Sequence, residues 1–207
     1  PSTDLIVALT DNGLRFYNRK LELIWYDNRT LSPDTFVAIS GDGSTVITAG
    51  NNQVASYKSD GTLNWRHEIT TDPIIDMDCS FDCSAIIVAG QDKEVVAIDR
   101  HGTVHWRYRT GQWVNAVGVS RDASVIAAGG IDRTVYVLGR SGTLITKRKV
   151  DAIIQPRSIA VSSDGRRIVV ADQTNIYGCS MIGDSGAPEF PETHTQAPLS
   201  PVPPAHP

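Results

Sequence analysis

Residues 113–149 read WVNAVGVSRDASVIAAGGIDRTVYVLGRSGTLITKRK, and this stretch is the best guide to the fold because its landmarks recur along the chain. Tryptophan recurs as Trp25, Trp65 and Trp106, at spacings of 40 and 41 residues, and Thr146 takes the next equivalent position. An aspartate recurs in the turn segments SGDGS, SFDCS, SRDAS and SSDGR, as Asp42, Asp82, Asp122 and Asp164. A fixed period of this length is typical of repeat architectures.

Short runs of β-branched and small apolar residues lie between these turns. Runs of five or six such residues, bounded by glycine, aspartate and serine, are typical of strands joined by hairpins. No helical periodicity of useful length appears, so we expect almost no helix. Each repeat supplies four strands, labelled a to d, with the tryptophan on strand d. The sequence therefore predicts an all-β fold, a β-propeller of four-stranded antiparallel blades whose radial packing buries both faces of each sheet.

The repeat boundaries predict about 4.5 to 5 blades within residues 1–183, followed by an extended proline-rich linker or arm at 184–207. The first blade has no clear strand a, and the last has no clear strand d. The approximate blade ranges are 4–30 (partial), 33–70, 73–110, 113–150 and 157–182 (partial). Three arrangements stay open: a closed five-bladed ring, a segment of a larger ring, or a ring completed by another copy. We prefer the latter two.

Composition excludes some classes of function. The net charge of −4 gives no general attraction to nucleic acid, and no run approaches the roughly 20 apolar residues of a membrane-spanning helix. We therefore expect no nucleic-acid binding and no membrane insertion within this chain. Three cysteines are too few for a disulfide-built scaffold, so a hydrophobic core has to supply the stability.

The stretch 113–149 resembles the repeats of PQQ-like and WD-repeat-like propellers, especially those of secreted, repeat-rich surface propellers of methanogenic archaea. The resemblance covers residues 4 to about 182. It implies a propeller fold and leaves the function open, because such propellers host enzymes, receptors and structural proteins. The Trp-Asp dipeptide of true WD repeats is absent, and no set of residues maps onto a bound quinone.

The recurring residues are expected to be structural. We expect Trp25, Trp65 and Trp106 to lie between neighbouring blades. The four repeated aspartates are expected to cap their turns by accepting hydrogen bonds from nearby backbone amides. The alternatives are an exposed aromatic row that binds sugars or partners, and a calcium site. Calcium needs a denser set of oxygen ligands than one carboxylate per turn.

Two pairs of residues could carry chemistry beyond packing. Cys79 and Cys83 flank a tight turn, where a disulfide could pin the hairpin. A metal site there would need a second pair of ligands. His101 and His105 straddle another turn without a third ligand, and we expect them to be exposed turn residues. We therefore predict no metal site and no cofactor-binding site.

The segment GDSGAP (183–188) resembles the sequence around the nucleophile of trypsin-like proteases, which would make Ser185 the nucleophile. Such a serine needs a histidine base and an aspartate. No upstream histidine lies in that family's histidine motif, and the serine opens a proline-rich segment. We expect no catalytic residues.

The residues after Gly183 and one glycosylation triplet bear on localisation. Residues 184–207 contain seven prolines and favour extended conformations. Asn28-Arg29-Thr30 forms an acceptor triplet for N-glycosylation. Together with the resemblance to secreted propellers, these features predict an extracellular or cell-surface glycoprotein.

We therefore expect a non-enzymatic propeller that acts as a structural, adhesion or self-assembly module. Its partners would be proteins, copies of itself or glycans, held by open blade edges and the proline-rich arm. One alternative is a fragment of a PQQ-type quinoprotein dehydrogenase or another propeller enzyme. The other is an intracellular protein-interaction scaffold of the WD-repeat type.

Overall fold

The computed structural model describes residues 5–10, 13–27, 36–181, 189 and 194–195. Within these ranges every regular element is a β-strand, so the all-β prediction is confirmed. The described residues contain no helical segment with the length and hydropathy that spanning a bilayer requires. The strands are β1 (Leu5–Thr10), β2 (Gly13–Asn18), β3 (Leu23–Asp27), β4 (Phe36–Ile39), β5 (Thr45–Gly50), β6 (Gln53–Lys58), β7 (Leu63–Glu68), β8 (Ile74–Cys79), β9 (Ile86–Gly90), β10 (Glu94–Ile98), β11 (Val104–Arg109), β12 (Val114–Val119), β13 (Val125–Gly130), β14 (Thr134–Gly139), β15 (Leu144–Lys149), β16 (Ile154–Val161), β17 (Arg167–Asp172), β18 (Asn175–Ser180) and β19 (His194–Thr195).

These strands form five antiparallel sheets in chain order. Sheet 1 contains β1 to β3, and sheets 2 to 5 contain β4–β7, β8–β11, β12–β15 and β16–β19. In sheets 2 to 5 consecutive strands pair in the order a, b, c, d, because short turns join each strand to its sequence neighbour. Among the described residues, sheet 1 has three strands, which correspond to strands b, c and d of its repeat.

The apolar core lies between successive sheets. Side chains alternate along each strand, so one face of a sheet contacts the preceding sheet and the other face contacts the following sheet. The buried residues form four clusters, which join sheets 1 and 2, 2 and 3, 3 and 4, and 4 and 5. Ile87 and Ala127 are fully buried, toward sheets 4 and 5 respectively. This repetition of one packing mode defines the architecture.

The a–b turns join neighbouring sheets through backbone hydrogen bonds. The amide of Gly41 donates to the carbonyl of Phe81, the amide of Phe81 to Arg121, and the amide of Arg121 to Ser163, at 2.6, 2.9 and 3.1 Å. The guanidinium of Arg121 lies 3.5 Å from the centre of the Phe81 ring. Equivalent turn residues therefore link sheets 2, 3, 4 and 5 in series.

The repeated aspartates organise these same turns. The Asp42 carboxylate accepts hydrogen bonds from the Ser40 hydroxyl at 2.6 Å and the Ser44 amide at 2.9 Å. Asp82, Asp122 and Asp164 accept the same two kinds of bond in their own turns. The hydroxyl of Ser40 is the main cause of the lowered pKa of Asp42, which is about 2. Each carboxylate therefore acts within its turn.

Each repeated tryptophan contacts the c–d turn of the next sheet. The indole N–H of Trp65 donates to the carbonyl of Arg100 at 2.7 Å, and that of Trp106 donates to Arg140 at 2.8 Å. Trp25 lies against Gly61 of sheet 2 in the same way. The turn glycines have positive φ, which is 86° at Gly61, so the ring packs on backbone that carries no side chain. The tryptophans thus lie between sheets.

The fourth strand of sheet 5 lies inside the stretch that we expected to be a linker or arm. β19 pairs with β18 through His194 and Ile176, and Glu189 bridges to Ser180. Ser185 and most of the remaining proline-rich stretch lie outside the described residues. The expected glycosylation residue, Asn28, also lies outside them.

Candidate functional site

A central cavity is lined by strands from all five sheets. Its volume is about 530 Å³, and its walls include Leu9 of β1, Phe36 of β4, Asp76 of β8, Val117 of β12 and Arg157 of β16. Ionisable groups are rare in the interior of a β-fold, and a pocket that concentrates them is the default place to look for function. We therefore treat this cavity as the candidate site.

Asp76 and Asp78 join sheets 3 and 4 inside the cavity. Asp76 accepts hydrogen bonds from the amides of Met77 at 3.0 Å and Val117 at 2.9 Å. Asp78 accepts from the amides of Cys79 at 2.8 Å and Val119 at 2.9 Å. One oxygen of each carboxylate therefore accepts a hydrogen bond from its own strand, and the other oxygen accepts one from the next sheet.

The two aspartates supply hydrogen-bond acceptors for backbone amides at the free edge of β12. A strand at the edge of a sheet presents backbone amides that have no partner in the ladder, and buried amides need acceptors. The side chains of Asp76 and Asp78 are two residues apart and so lie on the same face of β8. They reach the amides of Val117 and Val119, which have the same spacing on β12. We call these two residues the aspartate clip.

Burial disfavours the charged form of both carboxylates of the aspartate clip. Asp76 is only 5% exposed, and its burial raises its pKa from 3.8 to about 6. The amides of Val117 and Met77 and the positive charge of Arg157 oppose this rise. Burial likewise raises the pKa of Asp78, against the amides of Val119 and Cys79.

Arg157 is the cationic group of the cavity. It lies in β16 where the pairing register with β17 shifts between Ile154 and Ile159, and its φ is 59°. A β-bulge of this kind redirects a side chain out of the regular alternation. The guanidinium lies 4.6 Å from the centre of the Phe36 ring. The cavity thus combines one cation, an aromatic face and two carboxylates bound by amides.

The raised pKa of Asp76 predicts a specific pH dependence of stability. Between pH 4 and 6 the unfolded state releases the proton of Asp76 while the folded state retains it, so rising pH favours unfolding. Relative to Asp76→Asn, the free energy of unfolding of the natural chain should fall by up to about 3 kcal/mol from pH 4 to pH 7. Urea titrations at four pH values measure this difference. A difference that is constant with pH would contradict the burial argument.

The sequence contains a signal for the clip, although Asp76 and Asp78 are not among the predicted site residues. The a strands of the repeats read FVAIS (36–40), DMDCS (76–80), AVGVS (116–120) and SIAVS (158–162). Only the second of them has acidic residues at both alternating positions, where the others have aromatic, small or hydroxyl side chains. Two acids on one face of an inner strand indicate a buried polar role. Arg157 has no such signal, because its position depends on a bulge.

The structure places the other predicted residues outside the cavity. Cys79 and Cys83 are joined by a disulfide across the a–b turn of sheet 3. His105 lies 3.3 Å from Asp99 through its Nε2 and the Asp99 Oδ2, and the amide of His101 donates to the same carboxylate. The described part of the chain contains no cluster of three potential metal ligands.

The cavity does not fit pyrroloquinoline quinone. That cofactor carries several carboxylates, which need cationic partners when they leave water. Asp76 and Asp78 would repel them, and Arg157 is the single cationic side chain that lines the cavity among the described residues. No step of a reaction is therefore assigned to a quinone.

Five antiparallel sheets that repeat one packing mode around a central cavity define a β-propeller of the PQQ-like class. The family model described as "Outer membrane protein assembly factor BamB" matches residues 11–158, which is more than half of the chain. The chain belongs to this family of PQQ-like propeller repeats, as the sequence resemblance indicated. The resemblance to surface propellers of archaea stays a prediction.

Two curated proteins are similar to part of the chain. They are a lambda-carrageenase of Pseudoalteromonas sp and a lambda-carrageenase of Pseudoalteromonas carrageenovora, each 29% identical over 125 residues. The match covers 57% of this chain and 13% of each carrageenase. The chain therefore corresponds to a small part of these proteins.

Proposed function

We propose that this chain is a non-enzymatic propeller module with a structural, adhesive or assembly role in an extracellular, cell-surface structure. The observation that carries the proposal is the concentration of exposed apolar side chains on sheet 1. Five of the large apolar residues that are more than a third exposed belong to residues 5–27: Ile6, Leu21, Leu23, Ile24 and Tyr26. Exposed apolar patches of this kind mark surfaces that bind other molecules.

The use of the aspartate clip supports a non-catalytic role. A general acid or base needs a carboxyl oxygen that can reach a substrate. In Asp76 and Asp78, all four oxygens accept backbone amides within 3.0 Å. The most perturbed acids of the cavity are therefore occupied in holding sheets 3 and 4 together. The family description, an assembly factor, supports an assembly role for this chain.

Binding to cell-envelope material tests the proposal. The purified chain is expected to cosediment with envelope fragments from the cells that produce it. The double variant Ile24→Asp/Tyr26→Asp should bind at least tenfold more weakly, because two large apolar side chains contribute several kcal/mol when buried. Ile131→Asp, on a turn of sheet 4 and 37% exposed, is the matched control and should bind like the natural chain. Equal binding by all three proteins, or by none, would contradict the proposal.

The carrageenase matches favour a second candidate, a propeller within a longer enzyme. In that case the catalytic residues would belong to other parts of the polypeptide, and this module would position substrate. Calorimetric titration of the chain with lambda-carrageenan tests this candidate, because a module that positions substrate has to bind it. Our proposal predicts no saturable heat, and saturable binding would favour the second candidate.

A further inference from the structure

One face of sheet 5 is exposed, although the equivalent face of sheets 2 to 4 is buried. The residue at the third position of strand b points toward the next sheet, and Ile47, Ile87 and Ala127 are each 0% exposed there. The equivalent residue of sheet 5 is Val169, which is 47% exposed. Sheet 5 therefore also has an apolar residue at the position that contacts the next sheet, but this residue lies at the surface.

A second position on strand c shows the same difference. Leu14, Val54, Val95 and Val135 point toward the next sheet and are at most 1% exposed. Their equivalent in sheet 5 is Ile176, which is 41% exposed. On the same face, a side chain added at Gly178 would meet nothing within 4 Å. We call this surface of Val169, Ile176 and Gly178 the trailing face.

Sheet 1 presents the complementary surface. The residues of strand b that point toward the preceding sheet are buried in sheets 2 to 5, with exposures of 0 or 1%: Val46, Ile86, Ile126 and Ile168. Their equivalent in sheet 1 is Ile6, which is 41% exposed. Ile24 and Tyr26 lie on the same side of β3, opposite Trp25, and are 51 and 52% exposed. We call Ile6, Ile24 and Tyr26 the leading face.

The four interfaces inside the chain all join a face of the trailing type to a face of the leading type. Among the buried residues of the described chain, the core clusters join neighbouring sheets only, and none joins sheet 5 to sheet 1. A second copy of the chain offers the matching surface for each free face. Val169 and Ile176 would then contact Ile6 and Ile24 of that copy, as Ala127 and Val135 contact sheet 5 within one chain.

We propose that two copies associate head to tail, with the trailing face of one copy packed on the leading face of the other. This inference rests on the proposed assembly function and names a partner for it. The contact is heterologous, since two different surfaces of the chain meet. Removing these aliphatic side chains from water drives the association, as it does between the sheets of one chain.

Mixing two blocked variants tests this arrangement. The double variant Val169→Arg/Ile176→Arg places two positive charges on the trailing face and blocks its apolar contact. The double variant Ile6→Arg/Ile24→Arg does the same on the leading face. The natural chain is expected to show a mass in light scattering that rises with concentration above the 22.4 kDa of one copy. Each blocked variant alone should stay at the mass of one copy. An equimolar mixture should form a 1:1 complex of twice that mass, because each variant retains the face that the other lacks.

Circular dichroism and thermal melting of both variants establish that they are folded, and Ile131→Arg is a control that should associate like the natural chain. The proposal is overturned if the natural chain is monomeric at millimolar concentration, if a blocked variant associates alone, or if the mixture stays monomeric. These results are independent of envelope binding. A monomeric chain that still binds envelope fragments would remove the head-to-tail contact and leave the proposed function in place.

Discussion

Replacing Gly130 with alanine is expected to lower the free energy of unfolding by about 3 kcal/mol or more. Gly130 pairs with Val114 at the end of β13. A Cβ atom at this position would overlap the carbonyl oxygen of Trp113 and lie 2.9 Å from the Cα of Val114. These neighbours are backbone atoms of an inner strand, so they cannot rotate away as a side chain would. Room for the added methyl group therefore requires β12 and β13 to move apart.

Gly178→Ala is the matched control for Gly130→Ala. Gly178 also lies in a strand, and its added Cβ would meet nothing within 4 Å. We expect this variant to differ from the natural chain by less than about 1 kcal/mol, since alanine also restricts the unfolded chain. Urea denaturation followed by circular dichroism measures both changes. Equal destabilisation by the two substitutions would show that the close approach at Gly130 does not limit packing.

Trp106→Ala is expected to cost about 3 kcal/mol, because it opens the interface between sheets 3 and 4. The ring packs against the buried cluster of that interface, and its N–H donates to the carbonyl of Arg140. Trp106→Phe keeps an aromatic ring and loses the hydrogen bond, so its cost should be about 1 kcal/mol. Trp113→Ala, at a side chain that is 42% exposed, is the control and should cost clearly less.

A double-mutant cycle isolates the contact of Trp106 with the turn of sheet 4. A Cβ atom at Gly142 would lie 2.6 Å from the Cδ2 of Trp106, and the φ of Gly142 is 80°. In the natural chain Gly142→Ala therefore suffers both the overlap and the backbone strain, whereas in Trp106→Ala it suffers only the strain. The cost of Gly142→Ala should fall when Trp106 is absent. Additive costs would show that the ring does not press on this turn.

The candidate site was less predictable than the fold. The turn aspartates could be interpreted from the sequence because each one bonds within its own segment, as Asp42 does with Ser40 and Ser44. Asp76 acts on Val117, which is 41 residues away. A single sequence contains the two acids of β8 but does not indicate which distant amides they reach. The importance of Arg157 depends on a bulge in β16 and on Phe36 from another sheet.

The repeat, the strands and the placement of each tryptophan follow from the order of the amino acids, because local turn chemistry and side-chain alternation act within one repeat. Which copies of a repeated position are buried depends instead on how the sheets pack. Ile6 is apolar like Ile86, and Val169 is apolar like Ile87, yet the first of each pair is exposed and the second is buried. A residue becomes buried only when a neighbouring sheet packs against it. Equivalent residues of the repeat therefore differ in burial between the inner sheets and sheets 1 and 5.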